Sequence, residues 1–314
     1  MALKIKNLIS ISMMIGIVIF FFYYVMNHLS DFKRLLFISV SNFWFIFIIG
    51  FIFIFVLFLN GFLLNTLMKP FGIFLQKKEW MALSVVTFFY NYITPLRGGS
   101  VIRSIYLKRK YNFSYSHFIS TLSAIYIIIF LVGSFIGILS MLLVWIRYDM
   151  FSPLIFFILL LIFLFLLLIT IFSPRCSESK NKWINFLVKI GNGWHLIKND
   201  KKILFIITGI TLVQLISNAL IFILIFKIIS VKIDMSKSLF ISSINSISLL
   251  FSITPGSLGI SDVTGVFSAR LIGINLPEAI AGVVLKRSVE LLFIFILGPI
   301  FSYILMKNLK SLDK

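Results

Sequence analysis

The residues best placed to do chemistry are charged side chains that lie within or beside long apolar segments. Arg97 and Arg103 flank Gly98 and Gly99, and glycine-rich backbone beside arginines can hold a phosphate through amides and a bidentate guanidinium. A charge at bilayer depth costs roughly 2.5–3.5 kcal/mol, so it is rare there without a partner or a role. We predict that these four residues bind substrate. A cytoplasmic basic cluster is the alternative for both arginines, and it is favoured for 108–110.

A second group of charges occurs late in the chain. Asp262 follows a glycine-containing turn, where it binds substrate, caps the helix over 263–271, or does both. Arg287 and Glu290 are spaced i, i+3 and Lys286 and Glu290 i, i+4, so either pair can neutralise itself on one helix face. The alternative is that one cation remains free for an anionic substrate. We predict that five charges line one polar cavity reached from the membrane: Arg97, Arg103, Asp262, Arg287 and Glu290.

No nucleophile–base constellation is visible in the chain. Cys176 is the sole cysteine, and His28, His117 and His195 lie far apart without metal-ligand spacing. Phosphate-binding and zinc-protease motifs are missing from the sequence as well. We therefore predict no catalytic residue, no metal and no cofactor, and hence a protein that is not an enzyme.

The composition indicates that lipid surrounds most of the chain. Of 314 residues, 60% are hydrophobic and 12% are charged, whereas soluble domains are about 45–50% apolar and about 25% charged. The net charge of +19 would suggest a nucleic-acid partner, but the basic residues lie in short connections between apolar segments. That is the positive-inside pattern of membrane proteins, so we exclude nucleic acid as a partner.

Six segments are long and apolar enough to cross a bilayer as helices, which needs roughly 20 residues. They lie at about 8–26, 42–68, 115–145, 151–172, 203–229 and 278–306. The first is too long for a signal-peptide core and lacks a cleavage site, so we predict that it is retained. The sequence thus predicts an all-α polytopic membrane protein.

Two shorter apolar stretches, 80–94 and 238–253, run into proline and glycine. Each ends in Ile-Thr-Pro, at Pro95 and Pro255, and the offset of 160 residues is shared by the flanking spans, which indicates an internal repeat. Because proline removes a backbone donor and glycine weakens a helix, we predict re-entrant or broken helices here. The residues that break them are Pro95, Pro255, Gly256 and Gly259. An ordinary span that ends in a Pro/Gly turn is the alternative.

The distribution of basic residues predicts the topology. If both broken stretches return to their starting side, twenty Lys and Arg lie inside and seven outside, with both termini cytoplasmic. Each half then has three crossings, so the halves must be inverted within one domain over 1–314, divided into 1–147 and 148–314. The 173–202 connection carries Trp183, Phe186 and Trp194 on one helical face, which predicts either an interfacial helix or a solvated linker.

The strings Thr94–Arg103 and Thr254–Asp262, with Lys286-Arg287 beyond, resemble the flippase-like transmembrane domain of the lysylphosphatidylglycerol synthase family. The resemblance covers essentially the whole chain. Ser100 stands where the family usually has glutamate, Asp262 replaces a second glutamate, and the usual Glu-Arg pair is missing near Ala124–Tyr126. These departures bear on the substrate more than on the fold.

The resemblance implies a translocase of lipid headgroups in the plasma membrane of a prokaryote. Its cargo would be an anionic or aminoacylated phospholipid or a polyprenyl-linked sugar. The cytosolic aminoacyl-transferring domain is missing from the chain, so we expect no aminoacylation of lipid. The alternative is a non-catalytic accessory subunit of a cell-envelope glycosyltransferase or lipid-modifying system. Expected partners are membrane lipids, with a second copy of the chain or a membrane glycosyltransferase or synthase as further candidates.

Overall fold

The computed structural model describes residues 44–94, 97–172, 182–251 and 254–310, and regular secondary structure over these ranges is entirely helical. The α-helices in chain order are α1 (Trp44–Met68), α2 (Lys77–Ile93), α3 (Gly98–Tyr111), α4 (Tyr115–Tyr148), α5 (Pro153–Phe172), α6 (Lys182–Asn199), α7 (Lys201–Ile228), α8 (Met235–Ile247), α9 (Ile260–Leu271) and α10 (Leu276–Lys310). Short 3-10 turns lie at Lys69–Phe71, Ser248–Phe251 and Pro255–Ser257.

Five of the described helices, α1, α4, α5, α7 and α10, are long and apolar enough to cross a membrane. They match the predicted segments to within a few residues at each end, and the predicted span 8–26 lies outside the described residues. In α5 only Leu159 and Leu166 are buried, which leaves most of an apolar helix facing outward, as a lipid-facing helix does. The predicted all-α polytopic membrane fold is confirmed.

The helices α2 and α8 have 17 and 13 residues, and so extend about 25 and about 20 Å. Both are shorter than the hydrocarbon core of a bilayer, which is about 30 Å thick. Each packs against the short helix that follows it, α2 on α3 and α8 on α9. We call these pairs the first and second broken hairpins. In the described residues, the stretches predicted at 80–94 and 238–253 are therefore broken helices, as predicted, and not continuous spans.

The backbone at each break shows why the helix ends there. Thr94 is extended, with φ −111° and ψ 143°, which is the region that a following proline imposes on its neighbour. Arg97 then adopts the left-handed region at φ 55° before α3 begins. At the second break Gly256 and Ser257 are left-handed at φ 58° and 55°, and Gly259 has φ 83°. Helical hydrogen bonding cannot continue through such residues.

The two broken hairpins lie inside the bundle and contact each other. The helix order α1–α4 occurs again as α7–α10, and α2 packs on α10 while α8 packs on α4. The helix α1 packs on α7. Exchanging the two series turns the α2–α10 contact into the α8–α4 contact and leaves the α1–α7 contact unchanged. Residues of α2 also contact the turn Pro255–Ser257, so the breaks approach each other as predicted. Two inverted halves explain this packing, and the division at 147/148 stays a prediction.

The connection predicted as an interfacial helix or a linker contains α6, which packs against α4. Trp194 and Ile197 are buried in a cluster with Leu63 and Leu67 of α1 and Ala124 of α4. Over 182–199 the connection is therefore a helix held on the protein itself, and the linker interpretation is wrong there.

Candidate functional site

A cavity of about 330 Å³ lies between the two broken hairpins and the spans around them. Its lining includes all five charges that were predicted to share one cavity, together with a sixth: Arg97, Arg103, Asp262, Lys286, Arg287 and Glu290. The remaining lining is mixed, with amides such as Asn60 and Asn218 and apolar rings such as Phe53 and Phe222. A binding role for the charges stays a prediction.

Arg287, on α10, holds the second break together. Its Nε and Nη2 donate to Asp262 Oδ1 at 3.2 and 2.8 Å, and Nη2 also donates to Ser261 Oγ at 2.7 Å. Its Nη1 donates to the Gly256 carbonyl at 2.7 Å. Asp262 Oδ2 accepts from the Gly259 N–H at 3.0 Å, so this carboxylate caps α9 and pairs with Arg287 at once. Every nitrogen of the Arg287 guanidinium is thus engaged within the protein.

Of the two pairs that the spacing allowed, the structure shows Lys286–Glu290, and Arg287 has another partner. The i, i+3 spacing allowed a pair with Glu290, but Glu290 Oε1 accepts instead from Lys286 Nζ at 2.6 Å, and Oε2 accepts from the Tyr92 hydroxyl at 2.9 Å. Lys286 and Arg287 are successive residues, about 100° apart around the helix. Lys286 therefore reaches Glu290 on its own helix, while Arg287 reaches Asp262 on α9.

Arg97 joins the first break to the second. Its Nη1 donates to the Tyr126 hydroxyl of α4, and its Nη2 donates to the Leu249 carbonyl in the 3-10 turn that follows α8. The guanidinium carbon lies 4.8 Å from the centroid of the Tyr126 ring. A left-handed backbone costs a residue other than glycine about 1–2 kcal/mol, and such residues cluster at functional sites. Neither hydrogen-bond partner of Arg97 is a carboxylate.

Arg103, in the second turn of α3, forms the fewest hydrogen bonds of the cavity arginines. Its Nε donates to Thr87 Oγ1 at 2.9 Å. In the described part of the chain, its two terminal nitrogens have no hydrogen-bond partner and no carboxylate forms an ion pair with it. A guanidinium carries five N–H donors, so Arg103 presents unused donors to a cavity that it lines.

The cavity therefore carries more positive than negative charge. Four cations and two carboxylates line it, and the carboxylates are paired as Arg287–Asp262 at 2.8 Å and Lys286–Glu290 at 2.6 Å. Arg97 and Arg103 have no carboxylate partner among the described residues. Surplus buried charge is costly unless water or a counter-ion meets it. The geometry suits an anion.

Gly98 and Gly99, predicted to hold substrate through their amides, are not part of the lining that the structure gives. The Gly99 N–H donates to Asn91 Oδ1 at 3.0 Å. A Cβ on Gly99 would lie 2.0 Å from the Thr87 carbonyl oxygen, and one on Gly98 would lie 2.3 Å from Thr94 Oγ1. These glycines let α3 approach α2 closely, and this approach positions Arg103.

Of the predicted helix breakers, three are described. Pro255 starts the 3-10 turn Pro255–Ser257, and Gly256 and Gly259 adopt positive φ at the second break. Pro95 lies outside the described residues. Thr94 still shows the extended backbone expected of a residue before proline.

Several lining residues were missed by the sequence reasoning. Tyr92 and Tyr126 bond the cavity charges Glu290 and Arg97, and Gln214 of α7 also lines the cavity. Two signals were available: Tyr92 lies directly before the first break, and Tyr126 lies where the expected Glu-Arg pair is missing. Gln214 carries a weaker signal, an uncharged amide in an apolar span.

A second polar cluster, which the sequence did not suggest, lies at the open end of the first broken hairpin. Glu79 in the first turn of α2 is buried and accepts from the hydroxyls of Tyr106 at 2.8 Å and Tyr111 at 2.6 Å. Lys110 Nζ lies 2.9 Å from the same carboxylate. All three donors come from the last turns of α3, so the cluster fastens the two helices together. Lys108 and Arg109 are exposed nearby, as a peripheral basic cluster would be.

The chain is similar to one protein family along nearly its whole length. The family model described as "Lysylphosphatidylglycerol synthase TM region" matches residues 5–298 of the 314-residue chain. The matched range includes both broken hairpins and every charge that lines the cavity. No curated protein and no solved structure matches the chain.

Proposed function

The chain belongs to the lysylphosphatidylglycerol synthase transmembrane-region family, and we propose that it is a membrane translocase that moves a lipid or lipid-linked headgroup between leaflets. One observation carries the proposal: a polar cavity of about 330 Å³ lies between two broken hairpins inside an apolar bundle. Broken helices that meet near a binding site are a recurring arrangement in transporters. The volume lies in the range of small-ligand sites, about 300–1,000 Å³.

The mixed character of the cavity lining supports a lipid as the cargo. Arg97 and Arg103 provide donors without a carboxylate partner in the described residues, and Phe53, Phe88 and Phe222 provide apolar surface in the same cavity. A headgroup joined to acyl or polyprenyl chains is polar at one end and apolar at the other. Such a ligand satisfies both kinds of lining, whereas a fully hydrophilic solute satisfies one.

The accessory-subunit alternative requires a docking surface and no internal cavity. An embedded transferase would require a nucleophile or a base held against a reacting group. The cavity charges instead bond one another, backbone groups, or side-chain hydroxyls. These contacts favour binding and movement of cargo over covalent chemistry, so we propose that the protein is not an enzyme.

The proposal is tested by purifying the protein into liposomes that carry fluorescent lipids with different headgroups. The accessible fraction of label in the outer leaflet is followed over time, with protein-free liposomes as the baseline. Faster exchange of at least one headgroup is expected. An exchange rate equal to that of protein-free liposomes across anionic, zwitterionic, aminoacylated and polyprenyl-linked lipids would favour the accessory role.

A further inference from the structure

We propose that the cavity selects the phosphate of a net-anionic lipid headgroup and rejects an aminoacylated, net-cationic one; this inference rests on the proposed translocase function. It rests on two arginines, Arg97 and Arg103, that have no carboxylate partner among the described residues, and on two carboxylates that are already paired. The family description names a synthase of lysylphosphatidylglycerol. The cargo proposed for this chain is a different lipid from the one in that name.

The two carboxylates of the cavity are already neutralised. Asp262 pairs with Arg287 at 2.8 Å and accepts the Gly259 N–H at 3.0 Å. Glu290 pairs with Lys286 at 2.6 Å and accepts the Tyr92 hydroxyl at 2.9 Å. A lysyl ammonium would have to displace a resident cation from one of them. Displacement from Asp262 would also release the bonds that hold the second break.

The unused groups of the cavity are mainly donors. Arg103 has two terminal nitrogens without a partner in the described chain. Gln214 Nε2 and Ser242 Oγ are buried and likewise have no hydrogen-bond partner there, with residue exposures of 8% and 4%. All three residues line the same cavity. Phosphate oxygens are acceptors that guanidinium, amide and hydroxyl groups all bind well.

The charge balance leads to the same conclusion. The lining carries four cations and two carboxylates, so one phosphodiester reduces the surplus positive charge and one phosphomonoester can remove it. A lysyl-phosphodiester headgroup has two ammonium groups and one phosphate, so it would add a positive charge instead. Like charges repel strongly where the surroundings are poorly polarisable. Phosphatidylglycerol and polyprenyl phosphate share the required chemistry.

The test measures lipid binding by the purified protein in phosphatidylcholine nanodiscs, using the shift in melting temperature as added lipid is increased. The added lipids are phosphatidylglycerol, a polyprenyl phosphate and lysylphosphatidylglycerol, with inorganic phosphate as a fourth arm. We expect saturable binding of at least one anionic lipid, with lysylphosphatidylglycerol at least about tenfold weaker. The anionic lipid that binds more tightly is then the source of the phosphate. Inorganic phosphate alone should raise the melting temperature only slightly.

Three variants sharpen the test. Arg103→Gln should weaken anionic lipid binding about tenfold or more, because a charge-assisted bond is lost. Arg109→Gln, which removes an exposed arginine from the same helix, should change it less than about twofold. Gln214→Glu adds a carboxylate to the cavity and should shift the binding preference from the anionic lipids towards the lysyl lipid. This variant also provides a test if Arg103→Gln does not fold.

The inference is overturned if lysylphosphatidylglycerol binds as tightly as the anionic lipids, or if Arg103→Gln and Gln214→Glu both bind like the wild type. Lipid movement is measured in liposomes made from the same preparation. Selective anionic binding without movement would refute the translocase and leave the inference standing. Movement together with preferential binding of the lysyl lipid would refute the inference and leave the translocase standing.

Discussion

Three arginines of the cavity differ in what their guanidinium groups contact, and this difference assigns their roles. Arg287 donates to Asp262, Ser261 and the Gly256 carbonyl. Arg97 donates to the Tyr126 hydroxyl and the Leu249 carbonyl. Arg103 donates a hydrogen bond only through its Nε. Because Arg287 uses four of its five N–H donors within the protein and Arg103 uses one, we propose that Arg287 stabilises the site and that Arg103 meets the ligand.

Arg287→Ala is therefore expected to destabilise the protein. It leaves Asp262, whose side chain is 30% exposed, without its ion-pair partner and frees the Gly256 carbonyl, and polar groups left without partners cost about 1–3 kcal/mol. Arg97→Ala is expected to leave folding largely intact, because neither partner that it abandons is charged, and to abolish lipid movement.

The measurement is thermal unfolding of both variants in one detergent, together with translocation per folded molecule. Loss of stability in Arg97→Ala with unchanged translocation would show that its charge is structural. Equal stability of Arg287→Ala and the wild type would contradict the assignment of Arg287 as the residue that holds the second break.

At the scale of elements, the broken hairpins were predictable from the sequence. The hydrogen bonds that hold the two helices of the first hairpin together were not. Ile-Thr-Pro followed by glycine forces a helix to end, so the breaks at Thr94 and Gly256 could be read directly from the residues. The bonds of Glu79 to Tyr106 and Tyr111 depend on how α3 folds back on α2. No local pattern specifies that packing. Arg287 pairs with Asp262 and not with Glu290 because α9 packs beside α10, and the sequence does not specify this packing either.

The close approach inside the first hairpin can be tested with matched glycine substitutions. Gly99→Ala places a Cβ 2.0 Å from the Thr87 carbonyl oxygen, so backbone must move, and overpacking of this kind typically costs about 1–3 kcal/mol. In Gly209→Ala, on α7, the added Cβ has no other atom within 4 Å beyond its own helix backbone and chain neighbours. It should be neutral or stabilising, since alanine favours a helix by about 1 kcal/mol over glycine.

Thermal unfolding of the two glycine variants gives the comparison. Gly99→Ala should melt below the wild type and Gly209→Ala at or above it. Equal melting temperatures for both variants would mean that α2 and α3 do not pack as closely as described.

The cluster at Glu79 gives a second test of the first hairpin. Glu79→Ala removes the acceptor of two tyrosine hydroxyls and leaves Lys110 without its partner. We expect a loss of about 3–5 kcal/mol in unfolding free energy, as for a broken buried ion pair. Arg109→Ala, at an exposed residue of the same turn, is the control and should change stability by less than about 0.5 kcal/mol. Similar unfolding of both variants would contradict the fastening role.

At the scale of the whole molecule, the packing of α2 on α10 and of α8 on α4 is what two inverted halves produce. The repeat was visible in the sequence because both halves keep the same breaking residues at a constant offset. The cavity between the halves was predictable only as a consequence of buried charge needing a polar environment. Its amide and hydroxyl lining was not, since single polar residues in apolar spans carry no spacing signal.

The predicted orientation in the membrane can be tested with Cys176, the sole cysteine of the chain. This residue lies outside the described residues, within the 173–202 connection that is predicted to be cytoplasmic. A membrane-impermeant maleimide should fail to label it in intact cells and should label it once the membrane is permeabilised. Labelling in intact cells would show that Cys176 faces outward and that the predicted topology is wrong.

The most direct test of the central claim is the lipid translocation rate of Arg103→Gln relative to wild type, at equal amounts of folded protein in liposomes. Arg109→Gln, exposed on the same helix, serves as the matched control. The account predicts that Arg103→Gln moves its lipid at least about tenfold more slowly, with a melting temperature close to that of the wild type, and that Arg109→Gln moves it normally. An unchanged rate in Arg103→Gln would show that the cavity does not carry the lipid.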